Sequence, residues 1–292
     1  MPRLCCRAAA LALTRPPLIQ VPGMKEIWSS GAVFKTNALE LRATPKEARQ
    51  VQRVRLEPKV YRVGSSSWAF CTELRNADAP AQLLAVQKAV MVHVDAATSS
   101  VPQPLPAAAK AALQAQCAAE PVLASLPDGR QSSADKPAGA HALTLVVRMS
   151  DCDALGHVNN AKWALLVAEA YDAAERAGAY EQSELGGGGG GGGASKRPRV
   201  GGGGGGAGAG PERQWERLKA LSLGYIGQAH AGEALRCSTW RDREQRYRFV
   251  FELEGGGGGG SGGLAAGAAA GAAELIALAT LVQTPRQEVA AL

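Results

Sequence analysis

No apolar run in this chain approaches the roughly 20 residues that a helix needs to cross a bilayer, so a helical membrane span is excluded. The six cysteines, at positions 5, 6, 71, 117, 152 and 237, include no Cys-x-x-Cys pair, which argues against the common zinc and thiol–disulfide motifs. No secretory signal precedes them, and reduced thiols in a soluble intracellular protein are expected. His93, His141 and His230 lack a matching set of ligands, so no metal is expected. No acid occurs before Glu26, whereas Arg3, Arg7, Arg15 and Lys25 do, the composition of an organellar transit peptide. Serine is scarce there and Pro16-Pro17 breaks any amphipathic helix. Residues 1–50 therefore read as an irregular segment, its start either a plastid or mitochondrial transit peptide or an uncleaved tail.

What is present is unevenly spread. The apolar fraction of 46% can support a core, but many of the 36 glycines fall in runs that cannot pack, so the folded length is well below 292. Residues 186–211 and 255–273 are glycine-rich, and ordering them would lose too much backbone entropy, so both read as disordered inserts in loops of a folded domain. The basic run Lys196 to Arg199 inside the first insert resembles a nuclear import signal, or is simply part of a solvated insert. Residues 107–140 read as a linker, with one short alanine-rich helix near 107–119.

The charge of +6 is concentrated locally: Arg42, Lys46, Arg49, Arg53, Arg55, Lys59 and Arg62 are answered in sequence only by Glu47 and Glu57. Such a face suits nucleic acid, a membrane surface, or an acidic substrate, or is only a solvated face. Strand patterning marks 51–63, 66–75 and 82–95, then His141 to Met149, Lys219 to Ile226, Ala234 to Trp240, Tyr247 to Leu253 and Glu274 to Gln283. From Asn160 to Ala177, Trp163, Leu166, Val167, Ala170 and Ala174 recur at helical spacing, with Asn159 or Asn160 able to cap the start and Gly178 to stop the end. The fold class is α+β, with one buried helix against an antiparallel sheet. Two stretches echo each other, Tyr61 to Asp78 with Tyr225 to Asp242, and Leu84 to Val90 with Ile276 to Val282, a hint of duplication.

The chemistry lies in the turn between a strand and that helix, Ser150 to Trp163, which gathers carboxylates, an imidazole and two amides. A turn glycine permits close backbone approach, and the amides that open a helix point outward with its positive dipole end. Such donors suit the oxyanion that develops on a thioester carbonyl, while Asp153 can act as nucleophile or as base toward water. Asp151 reads as a turn residue and Cys152 as a packed thiol.

Asp151-x-Asp153-x-x-Gly156-His157-Val158-Asn159-Asn160, with Trp163 three residues on and then Glu169, resembles the signature of hot-dog-fold thioesterases, the 4-hydroxybenzoyl-CoA and plant acyl-acyl-carrier-protein types among them. The resemblance covers residues 141–284 and implies a long central helix wrapped by a curled antiparallel sheet. It implies Asp153 as catalytic carboxylate, Gly156 and His157 as backbone donors, the His157 ring as an orienting group, and Glu169 near the site. Val158, Asn159, Asn160 and Trp163 would bind substrate, with the acyl chain along the helix near Trp163 and Val167. Leu155 departs from the plant pattern, which has an asparagine there.

Residues 51–106 resemble the later strands of a second, partial hot-dog unit without the motif or a central helix, either degenerate or preceded by sequence absent here. Pairing of two hot-dog units is expected, within the chain or in a homodimer. The implied activity is hydrolysis of a fatty acyl thioester of coenzyme A or acyl carrier protein, without cofactor. The rivals are a catalytically inactive acyl-thioester binder and, more remotely, a nucleic-acid-binding protein. The second lacks any recognised nucleic-acid motif, so no nucleic-acid partner is expected.

Overall fold

A computed structural model describes residue 27 and residues 31–95, 101–119, 135–153, 156–180, 218–254 and 274–283. The glycine-rich inserts, the Lys196 to Arg199 run, the candidate transit segment before residue 26 and Leu155 lie outside the described residues.

In chain order the elements are β1 (Ala32–Leu41), α1 (Pro45–Gln50), β2 (Val54–Val63), β3 (Ser67–Asn76), β4 (Leu83–His93), α2 (Ala107–Gln114), β5 (His141–Val146), α3 (Asn160–Arg176), β6 (Leu218–Tyr225), β7 (Ala234–Arg241), β8 (Tyr247–Leu253) and β9 (Leu275–Gln283). The strands form one antiparallel sheet in the order β2-β3-β4-β1-β6-β9-β8-β7-β5. The halves meet where β1 pairs β6, from Thr36 opposite Gly224 to Glu40 opposite Ala220. Outward from that seam, β1, β4, β3 and β2 on one side mirror β6, β9, β8 and β7 on the other.

This corrects two expectations. Residues 1–50 are not irregular throughout, because β1 and α1 lie within them. Lys35, Thr36, Asn37 and Glu40 hide the strand from a pattern search, and pairing on both flanks imposes it. The echo of Tyr61 to Asp78 with Tyr225 to Asp242 is one strand out of step: it matches β3 with β7, whereas the mirrored order matches β3 with β8. The second echo is in step, since Leu84 to Val90 lies in β4 and Ile276 to Val282 in β9.

The larger core forms around α3. Its Trp163, Leu166, Val167, Ala170, Tyr171 and Ala174 are buried against β6, β7, β8 and β9, with the Trp163 ring edge-on to Phe251 at 5.4 Å. Each large side chain buried this way contributes roughly 1.5–3 kcal/mol. Asn159 caps the helix, its side-chain oxygen accepting from the Ala161 N–H at 2.9 Å. Gly178 ends it at φ +67, while the Ala179 N–H donates back to the Ala174 carbonyl.

A second core lies under α2, where Ala109 and Leu113 cover Val60, Trp68, Phe70 and Met91. The basic stretch is largely answered by acids once folded: Arg42 meets Glu40, Arg53 meets Asp78, Arg55 meets Glu57 and Lys59 meets Glu73. Three of those four acids come from outside the stretch or from a neighbouring strand, which is why the sequence alone overstates its charge.

Candidate active site

The motif residues lie where β5 gives way to α3. Asp151 is structural: its carboxylate accepts from the Arg148 N–H at 3.0 Å and pairs with Lys162 on the first turn of α3 at 3.3 Å. Its carbonyl takes the Asn159 N–H at 2.8 Å, so one residue ties the strand end to the helix start. Cys152 and Val158 form a bridge, the Asp153 N–H donates to the His157 carbonyl at 2.9 Å, and the Gly156 N–H donates to the Asp153 carbonyl at 3.0 Å. The result is a tight loop closed by Gly156 at φ +80, a conformation that favours glycine.

The loop is seated on the connection between β6 and β7. The Val158 N–H donates to the Ala229 carbonyl at 2.9 Å, the Val147 N–H to Glu233, and the Gly232 N–H to Val147. His157 and His230 face each other across a bridge, their ring centroids 4.9 Å apart and their planes at 67°. Because the hydrogen bond runs from Val158 to Ala229, His157 and His230 occupy a non-hydrogen-bonded pair, in which side chains approach most closely and the amides point away from the partner strand. Among the described residues the His157 amide has no hydrogen-bond acceptor.

Asp153 is exposed at the neck of the loop, where its backbone pairs with His157 and Gly156. Burial holds the half-buried His157 imidazole below its ordinary range, the His230 charge pushes the same way, and Asp153 opposes both. The Cys152 thiol is held above its usual value by burial and by the carboxylates of Asp151, Asp153 and Glu233, against a hydrogen bond from the Ala231 amide. It stays a thiol at neutral pH, a poor nucleophile.

The structure thus brings together Asp153, Gly156 and His157, with Asn159 and Asn160 at the helix start. It departs from the sequence reading in three places. The Gly156 amide is already spent on the Asp153 carbonyl, so it closes the loop and does not face a substrate. Glu169 is exposed and, among the described residues, pairs only with Arg148, at 4.0 Å; it lies nine residues into α3 and so about 14 Å along its axis from Asn160. Val158 and Trp163 are packed into the core, at 6% and 3% exposure.

His230 is the neighbour that sequence reasoning passed over, since no spacing in the sequence links it to His157. A described cavity of about 520 Å³, lined by Trp240, Arg243, Arg246 and Arg248 among others, lies at the β7–β8 hairpin. That is the opposite end of β7 from the candidate site, so the cavity is no part of it. Among the described residues no group of three or more His, Cys, Asp or Glu is placed to hold a metal ion, and no helix is long and apolar enough to cross a membrane.

No family model matches the chain, and no curated protein matches it either. Among solved structures it is similar to an acyl-ACP thioesterase from Bacteroides thetaiotaomicron, with a TM-score of 0.56 and 12% identity over 91% of this chain and 82% of that one. It is also similar to the 12:0-ACP thioesterase from Umbellularia californica, with a TM-score of 0.54 and 12% identity over 98% of this chain and 87% of that one. Identity this low speaks to architecture: the chain has the hot-dog fold, a central helix wrapped by an antiparallel sheet.

Proposed function

We propose that the chain hydrolyses acyl thioesters, releasing a free acid and the thiol of coenzyme A or acyl carrier protein. The observation that carries this reading is the loop at the start of α3, where the exposed Asp153 carboxylate stands beside His157 and the His157 amide has no acceptor among the described residues. The structurally similar proteins, acyl-ACP thioesterases by name, support the same chemistry.

In this reading Asp153 takes a proton from water as the water oxygen bonds to the carbonyl carbon. The His157 N–H, beside the positive end of α3, holds the oxyanion. Collapse breaks the C–S bond, and the departing thiolate recovers the proton. Attack by Asp153 itself, through a short-lived anhydride, uses the same groups. Asn159 and Asn160 shape the mouth, and residues 51–106 with β1 act as a partial hot-dog unit paired with the complete one. A fatty acyl chain is the expected cargo.

The test is thiol release from acyl-CoA and acyl-ACP substrates by wild type and Asp153→Asn. The variant should lose about 10²–10⁴-fold in kcat with its fold intact. Undiminished turnover refutes the role of Asp153. Binding of acyl-CoA without turnover by the wild type selects a non-hydrolytic acyl-thioester binder, a reading that the aliphatic Leu155 in the loop favours.

A further inference from the structure

His230 reaches the site only through folding. It lies 73 residues from His157 in sequence, on the connection after β6, yet the two form a cross-strand pair with ring centroids 4.9 Å apart. Its own backbone is fixed, because the His230 N–H donates to the Glu233 carboxylate at 2.7 Å within the turn that Gly232 closes at φ +87. Its side chain is exposed, so burying apolar surface does not account for the ring-to-ring contact.

We propose that His230 is a positioning residue for His157: its ring, set edge-on against the His157 imidazole, fixes that ring beside Asp153 at the mouth of the loop. The inference takes its reaction from the hydrolysis reading above, but its geometry stands independently. A neutral imidazole held in one orientation has one N–H that can donate to the Asp153 carboxylate and one bare nitrogen that can accept from the attacking water. It needs no added oxidant or cofactor, since the proton only moves from water to the carboxylate and then to the leaving sulfur, directly or through this ring.

The charges acting on the His157 ring are His230, from the β6–β7 connection, and Asp153, from its own loop. The other ion pairs near the helix start, Lys162 with Asp151 and Arg148 with Glu169, are already closed on themselves. Glu233, the remaining acid on the β6–β7 turn, is engaged by the His230 amide.

The experiment is an NMR titration of the His157 ring in the wild type, His230→Gln and His230→Lys, alongside the pH profile of kcat/KM for thiol release. His230→Gln removes the ring and its influence on His157, so the His157 midpoint should move to higher pH and carry the acid limb of the profile with it. His230→Lys supplies a positive charge without the ring, so the midpoint should stay low while kcat falls roughly tenfold and KM changes less than twofold. A His157 midpoint identical in wild type and His230→Gln overturns the proposal, whatever the rates do. Should the wild type release no thiol from any acyl thioester, the hydrolysis reading fails, and the titration alone decides the coupling of the two rings.

Discussion

Gly156 holds the candidate site together without touching a substrate. At φ +80 its amide reaches the Asp153 carbonyl, and a Cβ added there would meet nothing within 4 Å. The obstacle to any other residue is therefore backbone strain and not crowding. Gly156→Ala should destabilise the protein by about 1 kcal/mol, the cost of placing an L side chain in the left-handed region. Chemical denaturation would show the loss as a lower midpoint at unchanged slope. A variant as stable as the wild type would mean that the loop takes another conformation. The same loop explains why Asp153 and Asp151, two residues apart, differ in role: Asp151 turns inward to Lys162 and the Arg148 amide, and Asp153 is exposed.

At the scale of elements, α3 is the scaffold of the site, and its two ends and outer face are separately testable. Asn159→Ala removes the oxygen that satisfies the Ala161 N–H and should cost about 1 kcal/mol. Because the cap lies two residues from His157, thiol release should fall with it, and an unchanged rate would separate the helix start from the site. On the same helix, burial lifts the Asp172 carboxyl from 3.8 to about 6, with Glu175 and Glu169 adding to the effect and Arg176 opposing it. Its Oδ1 is buried without a hydrogen-bond partner among the described residues.

The folded-state value lies above the unfolded one, so the stabilisation from protonation is complete below about pH 4 and is lost as pH rises through about 6. Asp172→Asn should thus be more stable than the wild type at pH 7, by at most about 1 kcal/mol once solvent screening is allowed for. The two should converge near pH 4. Thermal melts of both proteins at pH 7 and pH 4 would check this, and a gap that persists at pH 4 would point to a cause other than ionisation.

For the whole molecule, the seam between β1 and β6 decides whether the halves behave as one body. Leu39, 2% exposed, sits opposite Leu221 on that seam and belongs to the apolar cluster with Leu74, Leu84 and Ala85. Leu39→Ala should cost about 2–4 kcal/mol through lost burial and the cavity left behind. Since β6 also pairs with β9, the loss should reach the second half. Hydrogen exchange at the Asn37 and Leu223 amides would test it: both should speed up together, and acceleration confined to the first half would mean that the halves unfold independently.

The sequence was enough for the elements whose own chemistry dictates them. The apolar spacing of α3, its Asn159 cap and Gly178 stop, the largely apolar strand runs of β2 through β4 and β6 through β9, and the Asp153-x-x-Gly156-His157 turn are all local signals, and the structure places each at or within a few residues of where the pattern puts it. What it could not carry is whatever depends on a partner far along the chain. The strand β1 exists because β4 and β6 flank it, Arg53 and Lys59 of the basic stretch are answered by Asp78 and Glu73 from beyond it, and His230 meets His157 because a turn after β6 folds back on the loop. Periodicity records which face of an element is buried, but which elements meet is set only when the whole sheet closes around the helix.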